Sequence, residues 1–514
     1  MNRFFSLMAI VAGLALAAFA FWLHGTQSST SPKILTETDP LAPIMAAVRI
    51  GDPLERCLAY PTPRGYRWPR SAIEAFCLDE FTPSLAWNSM KDAIESGKAA
   101  DIDSQLDAAI DAYLAGKLPE GALDHAYRDN FLQSSALLDR LIARWMEDVP
   151  GSAHALAARG MHELAAAWEV RGEDSVGNTP ERDLASMTRS SDLAQGDLEK
   201  AIALNPRILP AYGALIHVAR LRGRTSVADS SLQGALKLSP AAFYPRAERM
   251  VMYEPRWGGS FEQMDKFAAD AMPYTANNPR MVNLKAMALA ARGLPPHLAH
   301  DYKSSVPAFE SGLAEGPVIF CLRIAQFDVV SLNDDRVRAV ELLSQILRFA
   351  PNDLQSRSDR SHYLATLGRE EWAVSDLEAV LRIDPRNAVA LRGMANALIT
   401  GNKDEPAEAK LKQLLAADPT DRWAKATLAW MYVRRTHKYD EANELIAQML
   451  QKEPESGDLW LLRVKSLDAK PGPGMREAVE HFVRYADPNS KEQRDMLPVA
   501  QNWLLSHPAE TNAR

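Results

Sequence analysis

The amino-acid sequence predicts an all-α protein, namely a right-handed solenoid of helical hairpins with a transmembrane helix at its amino terminus. Prolines follow apolar helical segments at a repeated spacing of 34 or 35 residues. A small and a large apolar residue stand at fixed distances before these prolines, which is the pattern of helices that pack in pairs. The first 23 residues form a separate apolar segment. Ala and Leu dominate many of the remaining segments, which favours helix.

The segment from Phe4 to Leu23 contains no charged residue. A helix of about 20 residues spans roughly 30 Å, the thickness of the hydrocarbon core of a bilayer. Arg3 favours retention of the amino terminus inside the cell, so we expect an uncleaved single-pass anchor that carries an exported body. A cleaved signal peptide is the alternative, with Ala18-Phe19-Ala20 as its exit sequence.

Three cysteines are present, and two of them bracket a segment rich in Pro, Gly and aromatic residues. In an oxidising compartment, a disulfide between Cys57 and Cys77 would contribute roughly 3 kcal/mol by closing a loop of this length. Two free buried thiols are the alternative. Cys321 stands in an apolar run and is expected to be a small core residue.

The repeated unit is defined by three residue positions. The regularly spaced prolines are Pro206, Pro240, Pro351, Pro385, Pro419 and Pro454. The small residues upstream are Ala194, Ala228, Ala339, Ala373, Ala407 and Ala442, and the large ones are Leu198, Leu232, Leu343, Leu377, Leu411 and Ile446. Antiparallel helices need a small residue where they cross and a large one a turn later, and proline then ends the helix. Gly223 and Gly368 stand where a tight turn joins the two helices.

This arrangement resembles the tetratricopeptide repeat (TPR) over residues 190–242 and 320–467. Two further strings, Ala167-Trp168-Glu169-Val170-Arg171-Gly172 and Pro255-Arg256-Trp257-Gly258-Gly259-Ser260, resemble those of a bacterial family of unknown function over residues 100–320. That resemblance implies a TPR-like helical domain and a bacterial origin. Trp168, Arg171, Arg256, Trp257, Gly258 and Gly259 are then expected to form a structural motif at the crossing of irregular hairpins.

The predicted organisation has six parts. Their bounds are 1–23 for the anchor, 24–33 for a linker, 34–100 for the cysteine-containing segment, 101–320 for an irregular TPR-like domain, 321–470 for regular repeats and 471–514 for a short helix and tail. Residues 172–190 are expected to form an insertion before the next helix.

The sequence indicates no catalytic or metal site. His162-Glu163 begins like a zinc-protease motif, but Ala166 stands where the second ligand is required. The formal net charge of -8 and the absence of a long basic run argue against nucleic acid as the main partner. We therefore expect no cofactor, no metal and no small-molecule substrate, and a protein or peptide as partner.

The resemblance to the tetratricopeptide repeat implies a partner-binding groove lined by the first helix of each hairpin. The nominated residues are Gln355, His362, Arg392, Asn396, Trp423, Trp430, Arg434 and Lys465. Arg and Asn suit a peptide backbone or a carboxylate, and Trp supplies apolar anchors. His217 occupies the equivalent position in an earlier repeat.

The sequence thus predicts a non-enzymatic interaction scaffold on the bacterial inner membrane, with its body in the periplasm. Release into the periplasm after signal cleavage is the alternative localisation. An accessory factor of envelope biogenesis, acting as an assembly or maturation chaperone, is the alternative function. An enzyme of unknown type in the amino-terminal half is a third possibility, and a polar cluster around Trp168 and Arg256 would favour it.

Overall fold

A computed structural model describes residues 39–172 and 179–508 of the chain. All regular structure in these two ranges is helical and no strand occurs there, so the predicted all-α class is confirmed. None of the helices in this part of the chain is both long and apolar enough to cross a membrane. The predicted anchor, residues 1–23, and the linker that follows it lie outside the described residues.

The chain divides into two compact units, the first ending at Ser356. Its helices are α1 (Ala42–Val48), α2 (Pro53–Ala59), α3 (Arg70–Phe81), α4 (Trp87–Glu95), α5 (Ala99–Leu114), α6 (Glu120–Phe131), α7 (Ala136–Asp148), α8 (Ala153–Arg171), α9 (Glu181–Leu204), α10 (Leu209–Arg222), α11 (Thr225–Leu238), α12 (Tyr244–Met252), α13 (Phe261–Ala271), α14 (Val282–Ala290), α15 (Leu294–Leu298), α16 (Tyr302–Leu313), α17 (Ile319–Asn333) and α18 (Arg336–Phe349).

The longest hairpin of the first unit joins α8 and α9. Gly160 of α8 lies against Leu198 and the carbonyl oxygen of Ala194, and a Cβ atom at Gly160 would approach the Leu198 side chain to 2.7 Å. Ala194 and Leu198 are fully buried. The predicted small and large positions therefore do lie at a close helix crossing.

The start of α9 corrects the predicted insertion at residues 172–190. This helix begins at Glu181, directly after Pro180, and carries Glu181 and Asp183 in its first turn. Acidic residues near a helix amino terminus are stabilised by the helix dipole. The Ser- and Asp-rich composition therefore marks a helix start and not a continued loop.

The amino-terminal segment packs on the last hairpins of the first unit. Cys57 and Cys77 form a disulfide with a Cα–Cα distance of 5.8 Å. The Trp68 indole donates to the carbonyl oxygen of Leu313 at 2.6 Å. Phe76 stacks on Phe349, with ring centroids 4.1 Å apart. Burial of these aromatic rings joins the cysteine-containing segment to helices far away in sequence.

The second unit begins at Arg357, inside α19, whereas the sequence predicts a change to regular repeats at residue 321. Its helices are α19 (Leu354–Thr366), α20 (Glu370–Ile383), α21 (Ala388–Thr400), α22 (Asp404–Ala417), α23 (Arg422–Met431), α24 (Tyr439–Leu450), α25 (Gly457–Ala469), α26 (Met475–Tyr485) and α27 (Lys491–Ser506). The predicted small and large positions of its repeats are buried: Ala373, Leu377, Ala407, Leu411, Ala442 and Ile446.

Two local features of the repeats follow from backbone chemistry. Gly223 and Gly368 have φ angles of 63° and 68°, a region that glycine enters without a side-chain clash. Each of them ends the first helix of a hairpin, as predicted. At the carboxyl end, in contrast, the chain forms two helices, α26 and α27, where the sequence predicts one short helix and a tail.

Candidate functional site

The nominated groove residues lie on the first helices of successive hairpins. His362 is on α19, Arg392 and Asn396 are on α21, and Trp430 is on α23. The remaining ones are Trp423 on α23, Arg434 in a π-helical turn after α23, and Lys465 on α25. Gln355 also lies on α19, but it belongs to the first unit and is exposed there.

Arg392 is held in place and still reaches solvent. Its guanidinium pairs with Asp421 at 2.5 Å, and the side chain is 47% exposed. The guanidinium carbon lies 5.8 Å from the centre of the Trp423 ring. Asp421 is buried and also accepts from the backbone N–H of Ala424 at 2.9 Å, so it caps α23. Because Asp421 occupies one edge of the guanidinium, the other edge remains for a ligand.

The two tryptophans and the asparagine of the groove are half-buried. Trp423 and Trp430 both pack against the hydrophobic core of the second unit. Each ring therefore presents one part to the core and one part to solvent. The Asn396 side chain has no hydrogen-bond partner among the described residues, so its amide can serve a ligand.

Arg434 and Lys465 converge on Glu492, which lies in α27. Burial would raise the pKa of the Glu492 carboxyl, but the Lys465 ammonium and the Arg434 guanidinium outweigh it and lower that pKa. The carboxylate is still 51% exposed. This pair of cations thus binds a carboxylate, and the chain itself supplies the carboxylate.

Glu492 is absent from the predicted groove because it lies in the segment for which the sequence predicts a tail. A signal for the helix is present in Ser490-Lys491-Glu492-Gln493, which has the form of a capping box. Ser490 is the N-cap of α27, and its side chain accepts from the backbone N–H of Gln493. This string, read as a helix start, predicts α27.

The first unit contains a second group of residues on the first helices of its hairpins, which we call the Trp–Arg cluster. It consists of Trp168 and Arg171 on α8, Arg220 on α10, and Trp257 in the 3-10 turn after α12. The two indole rings meet edge to face, with centroids 6.4 Å apart and an interplanar angle of 85°. The two strings recognised in the sequence therefore do come together.

Both arginines of the cluster lie over both rings. The Arg171 guanidinium carbon is 5.2 Å from the Trp168 centroid and 5.7 Å from that of Trp257. The corresponding distances for Arg220 are 5.7 and 5.6 Å. Each such contact contributes about 0.5–2 kcal/mol, depending on how far the cation is removed from water.

The charges around the cluster are only partly matched. Glu248 accepts from Arg220 at 3.0 Å, and Glu254 pairs with Arg256 at 2.5 Å. Arg171 has no carboxylate partner among the described residues and donates only to its neighbour, the carbonyl oxygen of Gly172. Burial, followed by repulsion from Arg220, lowers the pKa of Arg171.

His217 packs on Trp168, with ring centroids 5.4 Å apart. Burial lowers the pKa of His217 to about 4, although Glu248 opposes this effect. The imidazole is therefore neutral at pH 7 and adds no charge to the cluster. The sequence predicts a groove position for His217, but it does not predict the contact between His217 and Trp168.

The glycines and the arginine of the second string have structural roles. Gly258 has a φ angle of 88°, which suits glycine, and ends the 3-10 turn. A Cβ atom at Gly259 would overlap the carbonyl group of Tyr253. Arg256 is exposed and lies 6.0 Å from the Trp257 centroid, paired with Glu254 as described.

The described residues contain no group of three His, Cys, Asp or Glu side chains that could hold a metal ion. His162 bonds to the carbonyl oxygen of Gln133 at 2.7 Å and does not approach a second ligand. His297 and Ser305 both bond to Asp328. Because Asp328 stands between them, the histidine cannot take a proton from the serine as a catalytic triad requires.

The tetratricopeptide repeat family model matches residues 364–431, which include Arg392, Asn396, Trp423 and Trp430. Residues 364–431 therefore carry TPR-type repeats, as the sequence predicts, and they lie in a chain whose described residues are all-α. Such repeats typically mediate protein–protein interaction and act as non-enzymatic scaffolds. No curated protein matches the sequence.

Several solved TPR structures resemble the chain at low identity. The TPR domain of P58(IPK) is 15% identical, with 80% of this chain and 100% of that chain covered and a TM-score of 0.26. Cut9–Hcn1, a hetero-tetramer of the APC/C, is 13% identical, with coverages of 84% and 83% and a TM-score of 0.35. Yeast Tom70 is 14% identical, with coverages of 82% and 90% and a TM-score of 0.29.

Proposed function

We propose that this chain is a non-enzymatic scaffold of the bacterial inner membrane, anchored by its amino-terminal segment with its body in the periplasm. It binds a peptide or protein partner on the face formed by the first helices of its regular repeats. The observation that carries this proposal is the cationic face of the second unit. There Arg392 and Asn396 keep hydrogen-bonding capacity beside half-buried tryptophans.

The chemistry of this face suits an acidic or extended peptide. A guanidinium binds a carboxylate through two parallel hydrogen bonds, and an amide side chain pairs with a peptide backbone. Large aromatic side chains that are half-buried supply apolar contact area at little entropic cost. Arg434 and Lys465 already bind one carboxylate, that of Glu492, which supports this ligand chemistry.

The test begins with crosslinking in intact cells and recovery of the full-length protein with its partner. Substitution of Arg392, Asn396 and Arg434 together by Ala should abolish capture while the variant stays folded, although loss of the Arg392 pair with the buried Asp421 should lower its melting temperature. A matched variant carries Arg382→Ala and Gln413→Ala on the second helices of the hairpins, where both side chains are exposed. Capture that persists in the triple variant, or that is lost equally in the matched variant, would refute the groove.

The location and anchor are tested separately from the groove. Membrane fractionation of the full-length protein should leave it in the inner membrane, and protease added to spheroplasts should degrade its body. Release of the body by osmotic shock would favour cleavage after Ala20 instead. Protection from protease in spheroplasts would contradict a periplasmic body.

A further inference from the structure

We propose that the Trp–Arg cluster of the first unit is a second binding site, which takes a carboxylate of an acidic peptide through Arg171. This site is independent of the groove in the second unit. It would bind whether or not that groove has a partner.

When each cation in and around the cluster is matched with a carboxylate of the described residues, one cation has no partner. Glu248 matches Arg220, and Glu254 matches Arg256. His217 is neutral, as shown above. Arg128, the other arginine that acts on Glu248, has its own partner in Asp124 at 3.1 Å. Arg171 is therefore the cation for which the described residues supply no anion.

The Arg171 side chain is partly removed from water without a counter-ion among the described residues, and a bound anion would supply one. The side chain is half-buried over two aromatic rings, so part of its hydration is already lost. An unpaired cation in such surroundings is unfavourable, and a carboxylate that docks on its exposed edge removes this cost. The rings also restrict the guanidinium plane, which prepares it for two parallel hydrogen bonds.

A second observation points to an oxygen ligand. The indole Nε1 atoms of Trp168 and Trp257 are buried and have no hydrogen-bond partner. They are the only tryptophans among the described residues of which this is true. Buried donors in folded proteins are almost always paired. The cluster thus combines an unmatched cation with two unmatched donors and lacks an acceptor.

The single unmatched charge favours a carboxylate over a phosphate group. A carboxylate carries one negative charge and would balance Arg171, whereas a phosphate dianion would leave a negative charge in a half-buried site. The cluster lies on first helices of hairpins, α8 and α10, which is the side that helical repeats present to peptides. A peptide carboxylate is therefore the expected occupant.

The test follows the indole N–H signals of full-length protein labelled with 15N in its tryptophans. Trp168→Phe and Trp257→Phe identify the two signals. Three probes are titrated separately: acetyl-Gly-Glu-Gly-amide, acetyl-Gly-Gly-Gly with a free carboxyl end, and inorganic phosphate. Both signals should shift saturably with at least one of the peptides, which distinguishes a side-chain carboxylate from a terminal one.

Variants locate the interaction. Arg171→Gln should weaken peptide binding by about tenfold or more, and Arg171→Lys should weaken it less because lysine keeps the charge but loses the two-pronged geometry. Arg140→Gln is the matched control, since Arg140 is exposed on α7. It should bind as the unaltered protein does. Circular dichroism melting confirms that each variant is folded.

Three results of the titrations would overturn the proposal. The first is that neither peptide shifts the indole signals. The second is that a peptide shifts them in the Arg171→Gln variant as much as in the unaltered protein. The third is that phosphate saturates the site and the peptides have no effect. The chain's own carboxylates are tested with Glu173→Gln and Asp174→Asn together. If that double variant moves both indole signals in the absence of peptide, the carboxylate is internal and the site is not a ligand site.

Discussion

The ion pair between Asp79 and Arg280 should be a strong determinant of stability in the first unit. Asp79 on α3 accepts from the Arg280 guanidinium at 2.6 Å, and the two side chains are only 6% and 5% exposed. The Arg280 guanidinium carbon also lies 3.6 Å from the centre of the Phe76 ring. Asp79→Asn removes the charge and preserves the size of the side chain.

The expected cost follows from what remains after the substitution. A buried cation that loses its partner destabilises a protein by about 3–5 kcal/mol. Arg280 keeps its ring contacts and its hydrogen bond to the Tyr244 hydroxyl at 3.2 Å, so we expect the lower end, about 3 kcal/mol. Asp79→Leu combined with Arg280→Met should recover most of the loss, because an apolar pair needs no counter-charge.

Hydrogen exchange measured by mass spectrometry reports this change locally. The Gly121 amide donates to Asp79 at 2.9 Å, so peptides around it and along α3 should lose protection by about two orders of magnitude. Glu74→Gln is the control on the same helix. Its ion pair with Arg70 has side chains 44% and 92% exposed, and its loss should cost less than about 1 kcal/mol. Equal effects of the two substitutions would refute the reasoning.

Three further predictions concern the first unit. Non-reducing mass mapping of the full-length protein should link Cys57 to Cys77, and two alkylated thiols would contradict the disulfide. Because burial lowers the folded-state pKa of His217 to about 4, below the unfolded value, its contribution of about 3 kcal/mol is present above pH 6.5 and is lost as the pH falls towards 4. His217→Gln should flatten the stability curve in that window, and an unchanged curve would count against burial. Gly259→Ala should lower the melting temperature because its Cβ meets a backbone carbonyl; an unchanged temperature would contradict that close approach.

The periodic part of the fold could be predicted because each repeat encodes its own packing. Ala373 and Leu377 stand at fixed distances before a proline. Ala407 and Leu411 stand at the same distances before the proline of the next repeat, and all four residues are buried. Contacts between distant residues have no such local signal. Asp79 and Arg280 are 201 residues apart, and nothing in either local sequence specifies the other.

The candidate sites show the same limit. The two tryptophan strings could be recognised as a set, but Arg220 belongs to neither string and joins them only through the packing of α10. Arg256 belongs to a string and turns out to be matched by Glu254. Residue type alone does not reveal which cation lacks an anion, since that depends on all the pairings made in three dimensions.

This difference in pairing predicts how readily each site accepts a carboxylate from a ligand. At Arg434 a partner's carboxylate must displace Glu492. The apparent affinity there is the intrinsic affinity multiplied by the fraction of chains in which Glu492 has left Arg434. At Arg171 no carboxylate of the described residues has to be displaced. Arg434→Gln alone should therefore weaken binding of the groove's captured partner only slightly, and the same substitution in a Glu492→Gln background should weaken it more. Calorimetry with the purified partner measures both losses, and an Arg434→Gln effect that is as large in the unaltered background as in the Glu492→Gln background would contradict this competition.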